Sequence, residues 1–119
     1  MTMKLPIKRI YEPAASSDGY RILVDRLWPR GVKKEAAEVD LWLKEVAPST
    51  ELRKWFDHDP AKWKHFVAKY HQELAVNEGV TLLRQALHQH KVVTLLYGAK
   101  DMEHNQAQAL KEYLENHPR

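Results

Sequence analysis

The segment Val92 to Tyr97, reading Val-Val-Thr-Leu-Leu-Tyr, contains no charged side chain. It is far shorter than the ~20 residues of a membrane span, and it is apolar at successive positions rather than at alternate ones. A strand reads this way when both of its faces are covered, so the rest of the chain must supply layers on either side of it. A second run of the same kind, Ile22-Leu23-Val24, lies within Tyr20 to Leu27 and is predicted as a strand that stops at Trp28-Pro29-Arg30-Gly31, where proline and glycine end regular pairing. Leu5 to Tyr11 mixes apolar and basic residues as a third strand would, and Leu41 to Val46 reads equally as a short strand or a short helix.

The remaining signals are helical. Ser49 or Thr50 can cap a helix carrying Leu52, Trp55 and Phe56, and Asp59-Pro60 combines an N-cap acceptor with proline at the first helical position. Trp63, Phe66, Val67, Tyr70 and Leu74 then recur on one helical face. Asn77 opens a further helix with Val80, Leu83, Leu87 and His90 on one side. Asp101 reads as the cap of a last helix that turns Met102, Ala109, Leu110, Tyr113 and Leu114 inward. Strands interleaved with helices in 119 residues predict a single α/β domain over residues 1–119, with a mostly parallel sheet of about three to four strands packed with helices.

Several chemistries lose their sequence support. With no cysteine there is no disulfide, no thiolate nucleophile and no cysteine zinc site. No Gly-x-Gly-x-x-Gly, phosphate-loop Gly-Lys-Ser/Thr, nucleophile elbow or His-Glu-x-x-His is present. No metal site is expected, and no residue pattern names a cofactor. The absence of a membrane-length apolar stretch, and of an apolar core in Met1 to Lys8, gives the expectation of a cytoplasmic protein without membrane contact.

In open α/β sheets, ligands lie beyond the carboxyl ends of the strands. The two clearest strands therefore direct attention to Asp25–Gly31 and Tyr97–Asp101, which open on one edge if the strands are parallel. The expected ligand is an anionic small molecule (phosphorylated, carboxylated or nucleotide-like) held by Arg26, Arg30 and Lys100, with Trp28 or Tyr97 against an aromatic or sugar part. His104, Asp25 and Asp101 are the candidates for proton transfer. Asp25 and Arg26 are adjacent on a strand, which implies that only one of them addresses the pocket. Gly98 allows close backbone approach. Asn105 puts a polar amide on the stripe that should be apolar, so it needs a pocket or a loop carbonyl as partner. His58, between Asp57 and Asp59, is read as structural, as are His88 and His90 at a helix end. Trp42, Trp55, Trp63, Phe56 and Phe66 are read as core.

Two other readings stand beside this one. The net charge is +3 and the pI about 9.1. Arg21, Arg26, Arg30, Lys33 and Lys34 share the segment 21–34, as a nucleic-acid-binding or regulatory protein would arrange them, although Glu35, Glu38 and Asp40 follow at once. The same residues would serve a non-catalytic interaction module as salt bridges and caps.

Asp18 to Gly31, Ala47-Pro48-Ser49 with Leu52 to Phe56, His58-Asp59-Pro60, Leu95-Leu96-Tyr97, Lys100-Asp101 and His104-Asn105 together resemble the domain-of-unknown-function 488 family over nearly the whole chain. The resemblance implies a small bacterial cytoplasmic α/β protein, and brings with it no reaction, substrate or catalytic residue. The segments that carry it include both strand-end loops.

Overall fold

A computed structural model describes residues 5–117. Residues 1–4 and 118–119 of the expected domain lie outside the described residues. Four strands form one sheet: β1 (Ile7–Arg9), β2 (Tyr20–Leu23), β3 (Leu41–Trp42) and β4 (Val93–Tyr97). Every pairing is parallel and the order is β1-β4-β2-β3. Leu95 stands opposite Ile7 on one side and Ile22 on the other. All five residues of β4 are buried, as an apolar strand flanked by neighbours and covered on both faces must be. Val92 is 46% exposed and lies just outside the strand, although its carbonyl receives the Tyr20 N–H at 2.9 Å.

The helices are α1 (Lys34–Ala37), α2 (Thr50–Phe56), α3 (Trp63–Ala75), α4 (Gly79–Gln89) and α5 (Gln106–Asn116). Side-chain alternation divides the core in two. Ile22, Val24, Val93, Leu95 and Tyr97 join Leu52, Phe66, Tyr70, Leu83 and Leu110 under the long helices. Leu23, Leu96 and Ile10 face the other way, covered by Ala37 and by Trp28, Val32, Val39 and Trp42. The radius of gyration, 13.5 Å, is that of one compact body of this length.

The starts of α2 and α3 follow the sequence reading. The Ser49 hydroxyl accepts the Leu52 N–H at 3.1 Å. The Asp59 carboxylate accepts the Ala61 N–H at 3.0 Å, and Pro60–Lys62 forms a tight helical turn leading into α3. Leu41–Val46 resolves into both alternatives, β3 followed by a short turn at Lys44–Val46. Three expectations need correction. β2 ends at Leu23, not Leu27. The last helix begins at Gln106 with Asn105 as its cap, so Asp101 lies four residues ahead of the cap and Met102 is 63% exposed instead of inward. Trp55 is not core: it is 39% exposed, with the Lys62 and Lys69 ammonium groups 5.1 and 5.2 Å from its ring centre.

The basic segment is also less of a surface than its composition suggests. Arg21 is 3% exposed. Its guanidinium donates to the Ala37 and Glu38 carbonyls and to Asp18 Oδ2 at 2.5 Å, and Lys8 reaches the same carboxylate at 3.0 Å. Burial alone would raise the Asp18 pKa. The Ala15 N–H, Lys8 and Arg21 outweigh burial and hold it below its ordinary value. A carboxylate with a lowered pKa stabilises the fold above the ordinary value, and that contribution vanishes as the pH falls through the lowered one. Arg21→Met should therefore cost about 3 kcal/mol in urea unfolding at neutral pH, with a smaller deficit in acid. A neutral-pH loss below about 1 kcal/mol would show that the pair does not hold β2 to the loop before it.

Candidate functional site

Because β2 and β4 are parallel neighbours, their carboxyl ends share an edge. The chain after β2 passes to the Leu96 side of the sheet, where Trp28 packs, while α5 follows β4 onto the opposite, Leu95 side. Exits to opposite faces leave a crevice between them. The cleft there has a volume of about 230 Å³. Its polar lining is Asp25, Arg26, Arg53, His58, His104, Asn105 and Gln106, and its apolar walls include Leu27, Pro48, Phe56 and Phe66.

Asp25 is the centre of this arrangement. The chain leaves the ladder after Val24, whose N–H still donates to the Leu96 carbonyl at 3.1 Å, and the Gly98 N–H, next after β4, donates to Asp25 Oδ2 at 2.9 Å. The side-chain amide of Gln106, the first residue of α5, donates to Asp25 Oδ1. One carboxyl therefore joins the ends of β2 and β4 to the start of α5. Burial pushes its pKa up to about 6, against the opposing pull of the Gly98 N–H and the Arg53 charge. The contact requires glycine at 98, since a Cβ there would sit 2.8 Å from Asp25 Oδ2 and 3.3 Å from Pro29 Cγ.

His104 projects from the loop between β4 and α5. Asp101 Oδ1 accepts the backbone N–H groups of Glu103 and His104 at 2.9 and 3.0 Å, and Asp101 Oδ2 lies 2.9 Å from His104 Nδ1. The Glu103 and His104 N–H groups and the imidazole lower the Asp101 pKa. An imidazole held at Nδ1 by a carboxylate leaves Nε2 as its free nitrogen, the arrangement of an oriented base. The Trp63 ring stands edge-on to it with centroids 5.2 Å apart. Asn105, 2% exposed, caps α5 through Oδ1 to the Gln108 N–H at 2.9 Å and donates to the Asp101 carbonyl at 3.0 Å. The unusual polar residue on the stripe is thus a buried cap that also ties down the loop.

Of the residues expected at the site, Asp25, Arg26, His104 and Asn105 line the cleft, and Asp101 supports His104. Asp25 and Arg26 both line it, because strand alternation no longer applies past Val24. The Arg26 guanidinium is occupied with the Ala47 and Pro48 carbonyls at 3.2 Å. Trp28, Arg30, Tyr97 and Lys100 are not among the lining residues. Trp28 donates to the Val32 carbonyl at 2.8 Å and packs edge-on to Trp42. The carbonyl of Arg30 receives the Tyr11 hydroxyl at 2.8 Å, Tyr97 is 2% exposed in the core, and Lys100 is exposed.

Arg53, His58 and Gln106 are the polar lining residues to which the sequence reading gave no ligand role. Among the described residues, neither the Arg53 nor the His58 side chain has a hydrogen-bonding partner. Arg53 projects from the solvent side of α2. His58 is placed by an abrupt turn in which Asp57 (φ 46°) and His58 (φ 54°) are both left-handed, a conformation costing about 1–2 kcal/mol for each non-glycine residue. Both fall in segments that carry the family resemblance, which is the one signal that could have singled them out. Among the described residues, no group of three or more His, Cys, Asp or Glu side chains is placed to hold a metal ion, and no helix is long and apolar enough to cross a membrane.

A family model described as the inactive DUF488-N3 subclade matches residues 4–118. The chain belongs to this family. The uncharacterized protein YeaO of Escherichia coli (strain K12) is 46% identical over 112 residues, covering 94% of this chain and 97% of YeaO. The uncharacterized proteins Rv3073c of Mycobacterium tuberculosis (strain H37Rv) and Mb3100c of Mycobacterium bovis are each 36% identical over 111 residues, covering 93% of both chains. No solved structure matches the chain. The expected family membership and α/β class both hold, and the relatives are bacterial.

Raised pKa values have a definite sign in stability. Asp25 favours folding fully below the ordinary carboxyl value, and this advantage is lost as the pH rises through about 6. Asp25→Asn should therefore raise unfolding free energy by about 2 kcal/mol at mildly alkaline pH and by much less in acid, measured by urea denaturation. A uniform loss at every pH would mean that the carboxylate itself is required for the fold. Gly98→Ala should lower the melting temperature by about 5 °C or more, since the added methyl must displace Asp25 or Pro29. An unchanged melting curve would show that the junction is loose.

Proposed function

We propose that this DUF488-N3 family member binds a small anionic molecule, carboxylated or phosphorylated, in the cleft at the ends of β2 and β4. The observation that carries this reading is the convergence of Arg53, His58, His104 and Asp25 on one cleft whose other walls are apolar. Arg53 and His58 take the anion-holding part that the sequence assigned to Arg30 and Lys100. A guanidinium with no hydrogen-bonding partner among the described residues offers its planar fork to carboxylate or phosphate oxygens. Leu27, Phe56 and Phe66 would meet the apolar part of the ligand. At about 30 Å³ per water in the liquid, the cleft displaces only about eight waters, a volume suited to a sugar-sized molecule or a small acid.

The proton-carrying groups are His104, held by Asp101, and Asp25. The description of the subclade as inactive supports binding without turnover. So does a lining without serine, threonine, lysine or tyrosine to act as a nucleophile.

Thermal shift against small carboxylates, sugar phosphates and nucleotides tests the reading. At a hundredfold excess over Kd a ligand adds about 2.7 kcal/mol of stability, a shift of several degrees. Arg53→Ala should abolish most of that shift. An equal shift in wild type and Arg53→Ala, or no shift with any anion, would contradict the proposal.

A further inference from the structure

The two oxygens of Asp25 are not held alike. Oδ2 faces the backbone N–H of Gly98, which can only donate. Oδ1 faces a primary amide, that of Gln106, which presents a donor in one orientation and an acceptor after half a turn. A carboxylate accepts from the amide nitrogen. A carboxylic acid protonated on Oδ1 donates to the amide oxygen instead. Gain or loss of a proton therefore leaves every hydrogen bond of this group made, an unusual provision for a half-buried carboxyl.

The surroundings set which form prevails. Arg26 and Asp25 are neighbours on the same segment, with the Arg26 charge directed at the Ala47 and Pro48 carbonyls. Arg53 and His58 face the cleft from α2 and its exit, and His104 faces it from the loop after β4, backed by Asp101. From α3, the Tyr70 hydroxyl donates to the Val46 carbonyl at 2.5 Å and is kept protonated by burial, while Glu73 is bound by the Ser49 hydroxyl and N–H. Among the described residues that line the cleft, Asp25 is the one carboxylate.

An oxyanion and an ionised Asp25 would thus share one small cleft. Like charges in such a space disfavour each other, and the pair is relieved when the carboxyl takes up a proton. We propose that oxyanion binding in this cleft is coupled to protonation of Asp25 on Oδ1, with the Gln106 amide turning over to accept the new hydrogen bond. The coupling rests on the reading that the cleft binds anions, and it makes the site tighten as the pH falls. Its ligand class is the oxyanion already fully ionised near neutrality, such as a carboxylate, which cannot itself supply the proton, whereas a phosphate monoester, with a second pKa of about 6, could. Burial, which already presses the carboxyl toward its neutral form, reduces the cost of this step.

The test uses sulfate, which stays a dianion across the working pH range, with titration calorimetry in two buffers of different ionisation enthalpy. Wild type and Asp25→Asn are compared, so that His58 and His104, present in both, cancel. The coupling predicts that at mildly alkaline pH Asp25→Asn binds sulfate about tenfold more tightly than wild type. It also predicts that wild type takes up more protons per sulfate than the variant, by as much as about one. Equal affinity and equal proton uptake would overturn the coupling while leaving anion binding intact. No sulfate binding by either protein, from acid to alkaline pH, would overturn the anion reading and the coupling with it. Should Asp25→Asn fail to fold, the His58→Gln, His104→Gln double variant isolates the carboxyl. Continued proton uptake on sulfate binding then supports the coupling, and its loss overturns it.

Discussion

A strand paired on both sides and buried on both faces cannot slide or tilt without breaking two ladders at once, and β4 is such a strand. Its five buried residues fix where β1 and β2 lie and bring their carboxyl ends to one level. The remaining geometry follows from that level edge. The chain leaving β2 must go one way around the sheet and the chain leaving β4 the other, because the long helices occupy the Leu95 side and the Trp28 segment occupies the Leu96 side. The cleft is the gap between these exits. Its position is a consequence of parallel topology and not of any one functional residue.

Asp25 sits where the ladder runs out, and it serves two demands at once. As an acceptor for the Gly98 N–H it satisfies a backbone donor that a longer β2 would have paired. As a carboxyl facing the cleft it is held away from water, which raises its pKa and makes its ionised form a burden on the fold near neutral pH. A neutral side chain could make the same backbone contact at lower cost. Retaining a titratable group in a destabilising position is the pattern expected where the charge has a use. The consecutive left-handed residues Asp57 and His58 are a second cost incurred at the rim of the same cleft.

Much of this was legible in the amino-acid order, for identifiable reasons. The charge-free run at Val92–Tyr97 led to the central strand, needing only to lose Val92. Asp59-Pro60 announced the start of the α3 segment because its capping chemistry is local. The paired strand-end loops were found because both strands had strong signals, and Asp25 and His104 came with them. The end of β2 was not legible, since Leu27 is as apolar as Leu23 and only the length of β4 decides where pairing stops. Asp101 and Asn105 are both good caps. The choice between them depends on the Asp101 carboxylate being engaged by Glu103 and His104, which sequence spacing does not reveal. Arg53 and His58 are separated from both loops along the chain and reach the cleft only through the docking of α2, a tertiary fact without a local signature.

The half-buried, titratable Asp25 is the junction of β2, β4 and α5. The most direct measurement is an NMR titration of its side-chain carboxyl carbon in the ligand-free protein. The expected midpoint is near pH 6, where burial places it. An ordinary midpoint, close to 3.8, would contradict it, since the carboxyl would then be solvated and its place between Gly98 and Gln106 unoccupied in solution.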